Sequence, residues 1–160
     1  LKTFAVGASC AKGHGVKVIA NNPAYWLFKE EPDHYSFADL ERDGATVWNG
    51  VTNNLARQNL RKVRPGDRVL YYHTGKEKAV VGVMEVTGGP MPDPESEDPK
   101  SVVVKVKPLS RLSSPVTLER IKGDSQLAGW DLVRLPRLSV MPVSAKQWQR
   151  VQDLSCQDEA

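Results

Sequence analysis

The apolar residues of this 160-residue chain fall into short bursts, each stopped by glycine, proline or a run of charge. Tyr25-Trp26-Leu27-Phe28 is aromatic and apolar throughout, the pattern of a buried strand. It breaks into Lys29-Glu30-Glu31-Pro32-Asp33-His34. Ser36 is placed to cap a short helix from Phe37 to Asp43, with Asp39 in the first turn and Gly44 just past the end. Thr46-Val47-Trp48 is a brief apolar approach to a polar turn. From Asn53 to Arg64 the period changes: Ala56, Leu60 and Val63 recur at i, i+4 and i+7, which predicts a helix with one buried face. Pro65-Gly66 ends it, because proline removes a donor and disfavours α at the residue before it. Arg68 to His73 reads as a strand, Thr74 to Lys78 as a hairpin loop, and Ala79 to Val86 as the return strand, with Gly82 a bulge or point of close approach.

Gly88 to Lys100 is rich in proline and acid, has no period, and reads as a loop. Ser101 to Pro108 alternates Val102, Val104 and Val106 with Val103, Lys105 and Lys107, a strand with one buried face. A short helix opens at Pro115-Val116-Thr117 and runs to Lys122, where Gly123-Asp124 breaks it; a second helical piece covers Ser125 to Gly129. Leu138 to Met141 is a strand closed by Pro142. Ser144 and Gln147 form a capping box for a last amphipathic helix through Gln152. Short strands joined by hairpins, with a few helices between them, predict an α+β domain built on a mainly antiparallel, partly closed barrel of five to six strands.

One hundred and sixty residues suffice for one domain with a real core. Residues 1–22 carry three lysines and no acid and lack the apolar centre of a secretory signal. They read as a poorly ordered extension before a domain over 23–153 and a tail over 154–160. A net charge of +3 permits nucleic acid without demanding it. Cys10 and Cys156 have no metal-ligand spacing and are no disulfide framework, which fits a reducing, intracellular setting. No apolar run reaches the length of a bilayer span, so no membrane partner is expected. Lys12-Gly13-His14-Gly15 lacks the spacing and ending of a phosphate loop.

The richest chemistry lies in Trp48-Asn49-Gly50-Val51-Thr52-Asn53-Asn54, leading into Arg57, Arg61 and Arg64 at helical spacing. An aromatic ring, amides that both donate and accept, and guanidinium groups suit a planar polar ring beside a phosphate chain. The same residues also read as a core tryptophan, an Asx turn, a helix cap and a solvated basic face. Trp26 and Trp48 are the stacking candidates, whereas Trp130 and Trp148 read as packing. Asn49 and Asn53 are candidates for the base edge. Lys29, Arg57, His73 and Thr74 are candidates for polar or phosphate contacts, and Arg61, Arg64 and Arg68 would extend a phosphate track. A rival reading makes Glu30, Glu31, Asp33 and His34, with His73, an acid–base or metal corner. Against it, no nucleophile elbow, HExxH, CxxC or phosphate loop is present, and a charged loop explains those acids as well.

Six blocks in order resemble a known family: Tyr25 to Pro32; Trp48 to Asn53 with Ala56-Arg57; Gly66 to Thr74; Val81 to Val86; Pro115 to Leu118; and Leu138 to Val143. Over about 24–152 the chain is similar to the EVE domain. The resemblance implies a PUA-like fold and a binding module rather than an enzyme, with no cofactor or metal. It implies a pocket that takes in a nucleobase, with 5-methylcytosine or 5-hydroxymethylcytosine in DNA favoured and RNA an alternative. Mapped onto this chain, base contacts fall to Trp26, Trp48, Asn49, Gly50, Val51, Asn53, Tyr72, His73, Thr74 and Ser139. Polar or phosphate contacts fall to Lys29, Glu30, Glu31, Pro32, Arg57 and Arg61. The chain departs from the family's usual residues at Asn49 (usually Asp), Thr52 (usually Arg) and Glu30 (usually Ser or Thr). The first exchange turns an acceptor-only group into one that also donates. A monomer is expected, cytoplasmic in a bacterium and nuclear in a eukaryote.

Overall fold

A computed structural model describes residues 23–157; the expected extension over 1–22 and the last three residues lie outside the described residues. The elements follow in the order β1 (Tyr25–Glu30), α1 (Phe37–Asp43), β2 (Thr46–Trp48), α2 (Asn54–Leu60), β3 (Arg68–His73), β4 (Ala79–Pro92), β5 (Val102–Thr117), α3 (Leu118–Lys122), α4 (Asp131–Arg134), β6 (Val140–Val143) and α5 (Ala145–Gln157). Six strands make one sheet in the order β2-β5-β4-β3-β1-β6. Only β1 and β3 run parallel; the other four neighbouring pairs are antiparallel. The α+β, mainly antiparallel expectation therefore holds. The sheet is not closed by hydrogen bonds: β2 and β6 are its two edges, and α2 packs on both β6 and β5.

Local chemistry accounts for the short elements. Ser36 Oγ accepts from the Asp39 N–H at 3.0 Å while the Asp39 carboxylate accepts from the Ser36 N–H at 2.9 Å, a reciprocal cap that starts α1. Gly44, with φ of +81°, ends it. Gly82 is a point of close approach and sits at a register shift between β4 and β5. A Cβ there would stand 2.6 Å from Cζ of Phe37, which is fully buried.

Five boundaries differ from the sequence reading. The helix expected to reach Arg64 stops at Leu60, with Arg61 as its C-cap. The proline-rich stretch from Gly88 is largely strand: β4 continues to Pro92 and pairs with Val102 and Val103 of β5 through a series of register shifts. Such irregularities accommodate residues that a regular ladder would reject. Likewise β5 runs on to Thr117, through residues expected to open a helix, and the stretch 125–129, expected to be helical, is a run of turns followed by α4 at Asp131. Pro142 lies inside β6 instead of closing it.

Trp130 is buried in the core, and Trp148 stacks on Tyr25 with ring centroids 4.4 Å apart, so both pack as expected. Cys156 lies in the last turn of α5, and Cys10 lies outside the described residues. Among the described residues no helix is long and apolar enough to cross a membrane.

Candidate nucleic-acid interface

The polar turn after β2 is shaped by Gly50, whose φ of +78° favours glycine. Beyond it Asn53 adopts an extended backbone and its Oδ1 accepts from the Ala56 N–H at 2.9 Å, capping α2. The cap uses only the carbonyl oxygen of that amide, leaving its Nδ2 free to donate. Asn49 and Thr52 are exposed, and their side chains make no hydrogen bond. Val51 is buried, and its carbonyl accepts from Arg57 Nε at 2.8 Å.

Arg57 lies in α2, Arg61 caps its end and Arg64 follows it, and each is engaged by the chain itself. Arg57 is 8% exposed and its Nη2 donates to Asp98 at 2.9 Å. It thereby supports the β4–β5 loop. The Lys100 N–H and the Arg57 guanidinium hold the Asp98 carboxyl below its ordinary range. Arg61 donates to the Lys100 carbonyl and Arg64 to the carbonyls of Arg61 and Val63, all within 2.9 Å, while both remain exposed.

Beneath the turn lies an aromatic cluster. Trp48, only 5% exposed, packs against Phe28 at 5.4 Å and Tyr71 at 5.3 Å, and Tyr71 meets the edges of Phe37 and His73. Trp48 is thus a wall of the core under the Asn49-Gly50 turn, with little open shelf. Trp26 is 6% exposed and its Nε1 donates to Asp67 at 2.9 Å, which occupies its one polar atom.

At the ends of β1 and β3 the polar residues pair among themselves. His73 Nε2 accepts from the Phe37 N–H at 3.1 Å, so the proton resides on Nδ1, which donates to Glu77 at 2.7 Å. Both ring nitrogens of this buried histidine are thereby used in starting α1 and holding the hairpin. Thr74 donates its hydroxyl to Glu31 at 3.0 Å and its N–H to the Glu30 carbonyl. Glu30 holds His34 at 2.6 Å. Pro32 turns the chain so that the Glu31 carbonyl accepts from both His34 and Tyr35 N–H groups. Of the acids in that corner, Glu30 and Glu31 are therefore engaged with His34 and Thr74, and His73 faces Glu77 instead.

Lys29 and Tyr72 are register partners on neighbouring strands and project from the face opposite Phe28 and Tyr71. Lys29 Nζ donates to the Pro136 carbonyl at 2.8 Å and lies over the Tyr72 ring, while its N–H donates to the Ser139 carbonyl. Burial lowers the Lys29 pKa and pushes Tyr72 up to about 12. Lys29, Tyr72 and Ser139 thus form one group, and Trp26, Trp48 and His73 another across the sheet. Two structural side chains escaped the sequence reading. Asp67 accepts from Ala24, Trp26 and Arg64, and Asn59 donates to the Val140 carbonyl. Asn59 falls three residues after Ala56, on the buried face, and that position was the available signal.

A family model for the EVE domain matches residues 24–154. The chain belongs to the EVE domain family. This EVE domain is 27% identical to mouse thymocyte nuclear protein 1, an alignment covering 88% of the chain and 76% of that protein. It superimposes on a Rhodopseudomonas palustris protein with a TM-score of 0.79 at 37% identity, covering 84% of this chain and 94% of that one. It also superimposes on human THYN1 in complex with 5-methylcytosine-containing DNA, with a TM-score of 0.77 at 26% identity over 82% of this chain and 97% of the human chain. An ASCH protein of Zymomonas mobilis shares the fold at 12% identity, with a TM-score of 0.55 over 83% of this chain and 96% of that one.

Proposed function

We propose that this EVE domain is a nucleic-acid reader that recognises a modified cytosine in DNA and releases it unchanged. The observation that carries the reading is the likeness over most of its length to a human family member whose structure contains 5-methylcytosine DNA. The geometry supports it at the β2–α2 turn. Asn49 and the free Nδ2 of Asn53 supply the donors and acceptor that a base edge requires, and Trp48 is the aromatic wall beneath them. Lys29, Tyr72 and Ser139, on the other face of the sheet, support the strand ends instead of touching the base. As a nuclear family name belongs to the mammalian relatives, a nuclear location is the matching proposal for a eukaryotic source.

The test is fluorescence-anisotropy titration at fixed salt with matched oligonucleotides: unmodified, 5-methylcytosine and 5-hydroxymethylcytosine DNA, and the same sequence as RNA. Modified DNA is expected to bind most tightly, with the oligonucleotide recovered intact. Asn49→Ala removes a base-edge contact worth about 1 kcal/mol, roughly a fivefold loss, and it does so without opening the core. Equal, salt-sensitive binding to every strand would reduce the protein to a basic surface and refute the proposal.

A further inference from the structure

The β4–β5 loop and the end of α2 line an open cavity of about 230 Å³, apart from the β2–α2 turn. Pro90, Met91, Pro92 and Pro99 form an apolar wall, and Arg61 and Lys100 stand at its rim. Both cations are exposed, and neither forms an ion pair with a carboxylate among the described residues. The Arg61 guanidinium is held in place by its bond to the Lys100 carbonyl at 2.8 Å and keeps further N–H groups to donate. Of the acids on this loop, Asp98 is taken by Arg57 and by the Lys100 N–H, and Asp93 accepts from the Glu95 N–H. Glu95 and Glu97 do not line the cavity.

A fixed guanidinium and a free ammonium beside an apolar wall match a phosphodiester with its sugar face. Arg61 lies eight residues beyond Asn53, about 12 Å along a helical path. At about 3.4 Å per base step, that is roughly three to four nucleotides from the base read at Asn53. We propose that this cavity is a second subsite, taking the backbone of the same DNA strand three to four nucleotides from the modified cytosine. The proposal rests on the reader function above. It makes recognition depend on strand length, with Arg61 and Lys100 setting affinity and the β2–α2 turn setting base preference.

Modified single strands extending one nucleotide or five nucleotides beyond the cytosine on each side are titrated against the wild type, Lys100→Gln and the Arg61→Gln/Lys100→Gln pair. The protein carries ¹³C-methyl methionine. Met91 lines the cavity whereas Met84 and Met141 are fully buried, so their unshifted methyl signals report that each variant is folded. The long strand is expected to bind more tightly than the short one and to move the Met91 signal. The double variant is expected to lose that gain, to keep the short-strand affinity and modified-base preference, and to lower the slope of log affinity against log salt by about one per contact removed. Normal modified-base binding with a stationary Met91 and an undiminished length gain in the double variant would overturn the second subsite alone. Absence of modified-base preference at every length would overturn the reader proposal and this inference with it.

Discussion

Removing the Asp67 carboxylate should loosen the start of the domain by an amount the structure lets us work out. The side chain is 6% exposed. Its Oδ2 accepts from Trp26 Nε1 and from the Arg64 N–H, both at 2.9 Å, and its Oδ1 from the Ala24 N–H at 3.1 Å. Bonds to a charged acceptor contribute about 1.5–3 kcal/mol each, and a buried donor left alone forfeits most of that. The indole N–H is buried, the Arg64 N–H is partly covered, and Ala24 is exposed enough to turn to water. Counting the first in full, the second at half and the third as nothing, Asp67→Ala is expected to cost about 2–4 kcal/mol. That lowers the melting temperature of a domain this size by about 5–15 °C. Asp67→Asn is expected to cost less, because a turned amide still offers its oxygen to Trp26 and Arg64 and opposes only Ala24. Urea unfolding followed by circular dichroism gives each value. A double-mutant cycle with Trp26→Phe isolates the indole bond, with an expected coupling of about 1.5–3 kcal/mol. A coupling below about 0.5 kcal/mol would show that Trp26 and Asp67 do not depend on one another, and the assignment of Asp67 as the anchor would fall.

The remaining predictions concern packing, loop order and alkaline stability. Gly82→Ala forces a methyl to 2.6 Å from the buried Phe37 ring and is expected to destabilise by about 1–3 kcal/mol in the same urea assay; a neutral result would mean the ring can retreat. Arg57→Ala leaves the buried Val51 carbonyl without its donor and is expected to cost about 1–3 kcal/mol, with faster hydrogen exchange at the Lys100 amide; unchanged exchange there would show that Arg57 does not hold the loop. Stability should fall as pH rises from about 10 toward 12: an unfolded tyrosine ionises near its ordinary value, whereas folded Tyr72 keeps its proton until about 12, so the unfolded state sheds protons first. Lys29, lowered by burial, acts in the opposite sense just below 10.5. Tyr72→Phe should therefore flatten the decline, and an identical alkaline profile would rule out Tyr72 as its cause.

The elements that can be read from neighbouring residues were the legible ones. Ser36 with Asp39 and Gly44 marks α1 from both ends, and the alternation of Val102, Val104 and Val106 marks a strand. By contrast, Pro90 and Pro92 look like loop because proline gives no ladder donor; only the irregular pairing with β5, which depends on residues well downstream, makes them strand. The candidate site shows the same division. Helical spacing put Arg57 on α2 correctly, but the helix ends before Arg61 and Arg64, and the partners that occupy Arg57 and Arg61, Asp98 and the Lys100 carbonyl, come from a loop about forty residues away. Trp26 and Asp67 are likewise 41 residues apart, and nothing local to either tryptophan distinguishes a solvent-facing ring from one that closes the core. Asn53 as a helix cap was readable, since that role needs only the next three residues.

An unfinished sheet normally invites other chains to complete it, through the row of unpaired amides and carbonyls along each outer strand. Here one outer strand, β2, offers only three residues. The other, β6, contains a proline with no N–H to give, and its Val140 carbonyl already receives the Asn59 amide at 2.8 Å. Both outer strands are thereby poor templates for pairing with a second copy of the chain. Asn59, a buried polar side chain outside the proposed site, thus serves to close a sheet edge as well as to hold α2 on β6.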